Sequence, residues 1–399
     1  MAFLTKSEAA KEFHVSPTTI NNWIIATEKN KINLNLATVG TKTVLVDSEH
    51  NRKIIKQLIE KGKKHIGRGG RVEVEVSTEL DKIFTQSQKA ELLASLSSRN
   101  EIPYKFTYLG NGADLWDEHY IASVNSENKL VSNEYNLILE NLEGITYKFK
   151  DYETINIVDI GCGNGLPVIP IIQRLIDLGF NIKYTAIDIS GRMIEIDKQQ
   201  LLKTFPNLDY SSHTMDLDQT NISEILLSNR DGEKSANLLL YLGGTLGNQT
   251  DSGRFFANIR DSMCNDDFLF IGISLVVDEQ KTAPYEPNAY HMKRTTWILD
   301  MLGLENQYPK TVLNMHDSLK RETTRRIPIL NDVTINFKYK DRVFPLNFDQ
   351  YEEILVVSYR EFKESEIIQQ IVERGFTIEQ FLSNRNRSYA LILVRPKQV

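Results

Sequence analysis

Cysteine is nearly absent: Cys162 and Cys264 are the only two. Two thiols are too few for a disulfide framework or a four-cysteine zinc site, and a reducing cytoplasm is the expected setting. No apolar run reaches 18 residues, which argues against a membrane-spanning helix. The opening Met1-Ala-Phe-Leu-Thr-Lys-Ser-Glu8 lacks the basic start and apolar core of a secretory leader. His14, His50, His65, His119, His213, His291 and His316 are scattered without ligand spacing, so no metal site is expected. An overall excess of positive charge is missing too. A formal charge of -6 over 399 residues argues against a general polyanion binder. What remains is 41% hydrophobic and 25% charged, ordinary for a globular chain with room for two or three domains.

The charge is uneven. Residues 52–71 hold Arg52, Lys53, Lys56, Lys61, Lys63, Lys64, Arg68 and Arg71 against one acid, Glu60. Upstream, Thr5 or Ser7 can cap a helix over 6–13 that turns Ala9, Ala10 and Phe13 inward. Ser16 can cap a second helix with Pro17 in its first position and Ile20, Trp23 and Ile24 as its stripe. Alternating stretches at 32–37 and 43–46 around Gly40 predict a hairpin, and a basic helix is expected over 48–63. The two helices and hairpin resemble the winged helix-turn-helix of excisionase and MerR-type proteins, where the first helix carries Ala-Ala and the second Thr-Ile-x-x-Trp. That resemblance implies DNA contact through 1–71, with Thr18, Thr19, Asn21 and Asn22 entering the major groove. A protein partner or self-association is the alternative use of such a module.

The glycines and arginines of 67–71 predict a linker, extended here to 67–77. Region 78–150 reads as helical. From 155 the pattern alternates: apolar runs at 155–160, 183–189, 237–242 and 268–276 are separated by helical periodicity over 166–178, 191–204 and 252–264. Such alternation predicts an α/β fold with a parallel sheet, its core at 151–278. Region 279–350 breaks the rhythm and reads as an inserted substrate lobe. Strand, helix and strand at 353–359, 364–374 and 388–395 then complete the sheet within 351–399.

The sharpest local signal is Ile157-Val-Asp159-Ile-Gly161-Cys162-Gly163-Asn-Gly165. A buried strand runs into three alternating glycines and then a helix, so the backbone can turn tightly against a ligand and offer it free N–H groups. Asp159 is placed to meet a positive group such as the amino end of a methionine moiety. Cys162 reads as a small packing residue of the loop. The next strand ends in Asp188-Ile189, where an acid can accept from both ribose hydroxyls, and Asp216-Leu217 follow at the end of the third. Gly-x-Gly-x-Gly preceded by an acid differs from the dinucleotide Gly-x-Gly-x-x-Gly. These features resemble the class I S-adenosylmethionine methyltransferases, which implies a Rossmann-like sheet and S-adenosylmethionine as cofactor. In that class the position of Asp216 often reads the adenine amino group. Ile189, Met193, Leu217 and Gly243 complete the expected cofactor wall.

Four stretches resemble one branch, the histidine Nα-methyltransferases of ergothioneine biosynthesis and their relatives. Pro103-Tyr-Lys-Phe-Thr-Tyr108-Leu-Gly-Asn-Gly-Ala-Asp-Leu-Trp-Asp117 is similar to that family's Pro-Pro-Lys-Trp-Phe-Tyr-Asp-x-x-Gly-Ser-x-Leu-Phe-Asp. The glycine run is the second stretch. Leu242-Gly243-Gly-Thr-Leu-Gly-Asn248 is the third, and Tyr389-Ala-Leu-Ile-Leu-Val-Arg395 the fourth. The resemblance covers about 100–399. It implies Tyr108 near the reacting centre, Gly243 and Asn248 holding the amino-acid end of the substrate, and Tyr285 in the substrate lobe.

One departure bears on the substrate. Where the family reads Glu-Glu-Ile-Arg-Thr-Glu-Ile-Ser, this chain has Glu352-Glu-Ile-Leu-Val-Val357-Ser-Tyr359. The glutamate and serine that hold the imidazole would fall on Val357 and Tyr359, and Asn128-Lys129 stand where the family has paired tyrosines. The expected activity is therefore N-methylation of an amino acid, peptide or amine-bearing small molecule other than free histidine. Two rivals remain: a nucleic-acid methyltransferase, although neither an Asn/Asp-Pro-Pro-Tyr/Phe nor a Pro-Cys motif is present, and a DNA-binding regulator that senses a metabolite.

Overall fold

The computed structural model describes residues 2–13, 15, 17–28, 34–39, 42–66, 71–124, 129–216, 220–230, 232, 234–249, 251–276 and 284–398. Two compact units share the chain. The smaller comprises Met1–Glu75, Pro328–Asn336 and Phe344–Glu353, and the larger the remainder.

The larger unit is built on a seven-stranded sheet. Its strands lie in the order Phe376–Ser383, Tyr389–Pro396, Phe268–Ser274, Ser235–Tyr241, Thr154–Ile160, Asn181–Asp188 and Asp209–Thr214. The strand that feeds the glycine loop is central, which is why it reads as a near-continuous apolar run. Its side chains alternate between faces. Ile155 and Ile157 join one core with Leu137 and Ile138, Ile171 and Leu175, and Leu201 of three helices. Val158 and Ile160 join the other, with Phe255, Phe256 and Ile259 and with Ile367 and Ile371. Asp159 has the parity of Ile157 and is turned toward the first set of helices.

Five of the strands are parallel, as the alternation predicts. The last two are not: 389–396 runs antiparallel both to 268–274 and to 376–383. The result is the mixed sheet typical of class I methyltransferases. The sequence reading missed 376–383, an edge strand whose residues after Phe376 are only partly buried or exposed. It also placed 353–359 in this sheet. The structure instead pairs Glu353–Arg360 in a separate three-stranded sheet with Met315–Asp317 and Glu322–Pro328.

In the smaller unit, helices Lys6–Phe13 and Pro17–Glu28 are followed by Leu36–Val39, Lys42–Asp47 and the helix Glu49–Ile66, and Ala2–Leu4 adds a third antiparallel strand. Ala9, Ala10, Ile20, Ile24, Leu45 and Ile55 form its core. The expected linker is structured in part, since Val72–Glu75 pairs parallel with 333–336. Arg71 donates to the Val333 and Phe348 carbonyls and ion-pairs with Asp349. Arg52 is bound between Glu12 and Asp47, and Asn21, expected to face a groove, is buried and accepts from Lys6. Lys53 and Lys56 stay exposed, whereas the side chains of Thr18, Asn22, Lys61, Lys63, Lys64 and Arg68 lie outside the described residues.

Candidate active site

One cavity of about 730 Å³ opens over the ends of the parallel strands, where ligands bind in open α/β sheets. Asp159, Gly161, Cys162, Gly163, Asp188, Ile189, Met193, Asp216 and Gly243 all border it. Leu217 lies outside the described residues.

The glycine loop is a chain of left-handed residues, with φ of +69° at Gly161, +58° at Gly163 and +71° at Gly165. A side chain at Gly165 would also come within 2.4 Å of the Asp197 carboxylate. Gly165→Val therefore combines backbone strain with overpacking, together about 2–5 kcal/mol. We expect a lower denaturant midpoint with an unchanged slope; an unchanged midpoint would contradict this reading. Gly161 and Gly163 are different. Added Cβ atoms there meet nothing closer than 3.8 Å and 3.6 Å, so their bareness leaves a cradle rather than filling a packed core.

Asp188 ends its strand 8% exposed, and its carboxylate accepts the Ser190 N–H at 2.9 Å. Ser190 in turn caps the helix Gly191–Thr204 through the Met193 N–H. Burial pushes the Asp188 carboxyl up to about 6. Asp159 is also buried, accepts from the Tyr184 hydroxyl at 2.9 Å, and burial with the neighbouring Asp197 raises it well above the carboxylate range. Burial likewise raises the Cys162 thiol, so a neutral packing role fits it. Asp216 faces the cavity with a partner the sequence did not announce: Lys105 lies 2.6 Å from it and 2.9 Å from Glu91.

Bordering the same cavity, the Asn248 amide donates to the Tyr108 hydroxyl at 3.4 Å. Burial raises Tyr108 above its ordinary range, so it stays a neutral phenol. The Gly243 N–H is held by Glu134 at 2.8 Å, and Glu134 also accepts from Tyr389. A side chain at Gly272 would come within 2.2 Å of that carboxylate. Arg294 is buried beneath the aromatic wall, with its guanidinium 4.6 Å from the Tyr108 ring centroid and 5.1 Å from that of Trp116. Neither Glu134 nor Arg294 belongs to a recognisable motif. Each comes from a helix remote in sequence and is visible only once the chain is folded.

Three expected substrate residues stand elsewhere. Tyr285 is 46% exposed, pairs its backbone with Asn314 and does not border the cavity. Val357 is buried. The Tyr359 hydroxyl donates to Ser274 at 2.7 Å, and a side chain at Gly247 would come within 2.6 Å of its ring. Tyr359 thus packs under the turn that carries Asn248. The residues of that strand bordering the cavity are Leu355, Ser358 and Arg360. Ser358 donates at 2.6 Å to Glu322, which borders the cavity too.

The chain is similar to several known proteins. Among solved structures, an S-adenosylmethionine-dependent methyltransferase from Clostridium acetobutylicum ATCC 824 is 12% identical, covering 72% of this chain and 98% of its own with a TM-score of 0.41. Magnesium protoporphyrin IX methyltransferase from Synechocystis PCC 6803, with bound SAH, is 14% identical over 78% of this chain and all (100%) of its own, TM-score 0.39. The glycopeptide N-methyltransferase MtfA is 11% identical over 64% and 92%, TM-score 0.34. No curated protein matches in sequence. Residues 88–396 match the family described as histidine-specific methyltransferase, SAM-dependent, and the chain belongs to that family, an S-adenosylmethionine-dependent methyltransferase.

Proposed function

We propose that this methyltransferase acts on the amino nitrogen of an amino acid or short peptide. The observation that carries the reading is the Tyr108–Asn248 pair bordering the same cavity as the glycine cradle, with Gly243 on the same turn as Asn248. The cradle fits S-adenosylmethionine: two bare glycines leave room, and the buried Asp188 offers acceptors at its edge. Asp188 would hold the ribose, Asp159 the amino end of the methionine moiety, and Ile189, Met193 and Met215 the purine. Asp216, engaged by Lys105, would orient that cation as well as meet the adenine side.

The cofactor supplies a methyl carried on a sulfonium, transferred by in-line displacement. The protein's task is to hold a neutral amine at about 3 Å in that line. The Asn248 carbonyl oxygen can accept from the amine and its amide can donate to a carboxylate. Arg294, a buried cation behind Tyr108, disfavours an ammonium there and keeps the amine nucleophilic.

Ser358 and Glu322 border the same cavity, which neither Val357 nor Tyr359 does. A serine and a glutamate can receive a side chain that donates a hydrogen bond, so free histidine stands among the candidate acceptors, in keeping with the family description. A panel of L-amino acids, histidine-containing dipeptides and their Nα-acetyl derivatives tests this. Methyl transfer is expected only to members with a free α-amino group, and methylation of an acetylated member would overturn the reading.

For residues 2–66 we propose a winged helix-turn-helix, supported by the two helices and the antiparallel strands that follow. With Asn21 and Arg52 engaged internally, the basic helix keeps Lys53 and Lys56 as its exposed described lysines. If the module contacts DNA, reversing both lysines to glutamate in the full chain removes salt-sensitive binding to a random-sequence pool. Unchanged binding, or none in the parent, assigns the module to protein contacts.

A further inference from the structure

Beneath the glycine loop, a single hydroxyl stands between two buried carboxylates. Tyr184 Oη is 2.9 Å from Asp159 Oδ2 and 3.0 Å from Asp197 Oδ1. Asp197 Oδ2 accepts from Tyr210 at 2.8 Å. Tyr184 has one proton to give, so it can donate to only one of the two acids. The other contact is a hydrogen bond only if that acid carries a proton and donates back. Asp159 is 4% exposed and Asp197 is fully buried. Among the described residues neither forms an ion pair, and the groups facing them are Tyr184, Tyr210, Cys162, Asp188 and Glu134, all neutral or acidic. Lys198 lies over the Tyr210 ring, 5.7 Å from its centroid, and forms no ion pair with either acid among the described residues. Two uncompensated anions bridged by one O–H in such surroundings are costly.

We propose that Asp159 and Asp197 share one proton through Tyr184, and that Asp197 is a positioning residue which holds this proton when the cationic cofactor is bound. The exchange is balanced. Asp159 gives its proton to Tyr184 Oη as Tyr184 gives its own to Asp197 Oδ1, and no proton enters or leaves. The site thereby presents an ionised Asp159 to a cation without keeping a second naked charge buried beside it. Gly165, which leaves no room for a side chain above Asp197 Oδ1, ties this chain of groups to the loop itself.

The inference rests on the S-adenosylmethionine reading, and the test separates the two. The probes are S-adenosylmethionine titrated by calorimetry and difference infrared spectroscopy of its complex at about pH 8. The wild-type complex is expected to show the carbonyl stretch of a protonated carboxyl, and Asp197→Asn to lack it. Asp197→Ala, which leaves both tyrosines unpaired, should weaken binding by about tenfold or more. Asp197→Asn, whose amide donates to Tyr184 and whose oxygen accepts from Tyr210, should restore most of that loss. An absent band in the wild type, the same band in Asp197→Asn, or no rescue by asparagine in a folded variant would overturn the proposal. Should Asp197→Ala fail to fold, the spectra of the wild type and Asp197→Asn decide alone. A wild type that binds no S-adenosylmethionine would instead defeat the cofactor assignment.

Discussion

Asp188→Ala is expected to weaken S-adenosylmethionine binding by about 10²-fold or more while the protein stays folded. A charged acceptor contributes on the order of 1.5–3 kcal/mol per hydrogen bond, and the ribose offers two hydroxyls. The fold should survive because the same carboxylate is a burden without ligand. It is buried, and burial raises its pKa toward 6. Removing it costs the Ser190 N–H one acceptor but relieves that desolvation. Calorimetry that finds unchanged affinity in the folded variant would sink the ribose assignment.

The second large effect is expected on the acceptor side. Asn248→Ala removes the group proposed to accept from the amine and to donate to the carboxylate. It should lower kcat/KM for the acceptor by roughly 10²-fold, with a much smaller change in the Kd for S-adenosylmethionine. Tyr108→Phe deletes the partner hydroxyl 3.4 Å away and should act in the same direction by about tenfold. Equal losses in cofactor and acceptor binding would mean that Asn248 shapes the loop rather than the acceptor site.

How much of this was legible in the sequence depends on how locally each feature is encoded. The glycine loop, Asp159 and Asp188 are contiguous with the strands that carry them, and each strand ends where its apolar run ends. Ser190 and Asp251 cap the helices that follow them, each from the position directly before the first helical residue. The substrate end obeys a different rule. Along 353–360 successive side chains change face, so an offset of one position exchanges the residues facing the cavity with those facing away. Val357 and Tyr359 were expected to face the acceptor, whereas Ser358 and Arg360 border the cavity, joined by Leu355 from the other parity. Glu134, Asp197 and Arg294 lie on helices with no motif of their own, and Lys105, although inside the 103–117 stretch, carries no local mark of its contact with Asp216; only tertiary packing brings these groups together. The edge strand 376–383 was missed because it lacks the unbroken apolar run of a central strand.

The measurement that bears most directly on the account is calorimetric titration of the full chain with S-adenosylmethionine across pH. Ribose hydroxyls donate to an ionised Asp188, whose carboxyl without ligand sits near 6. Binding therefore favours the deprotonated form and draws the proton off. Affinity should be steady above about pH 7 and fall as pH drops through 6, approaching tenfold per unit below it. Saturable binding with that profile, and in Asp188→Ala weaker binding by about 10²-fold or more from which the profile is lost, is the predicted result. Affinity that is indifferent to pH from 5 to 8, or absence of saturable binding, would contradict it.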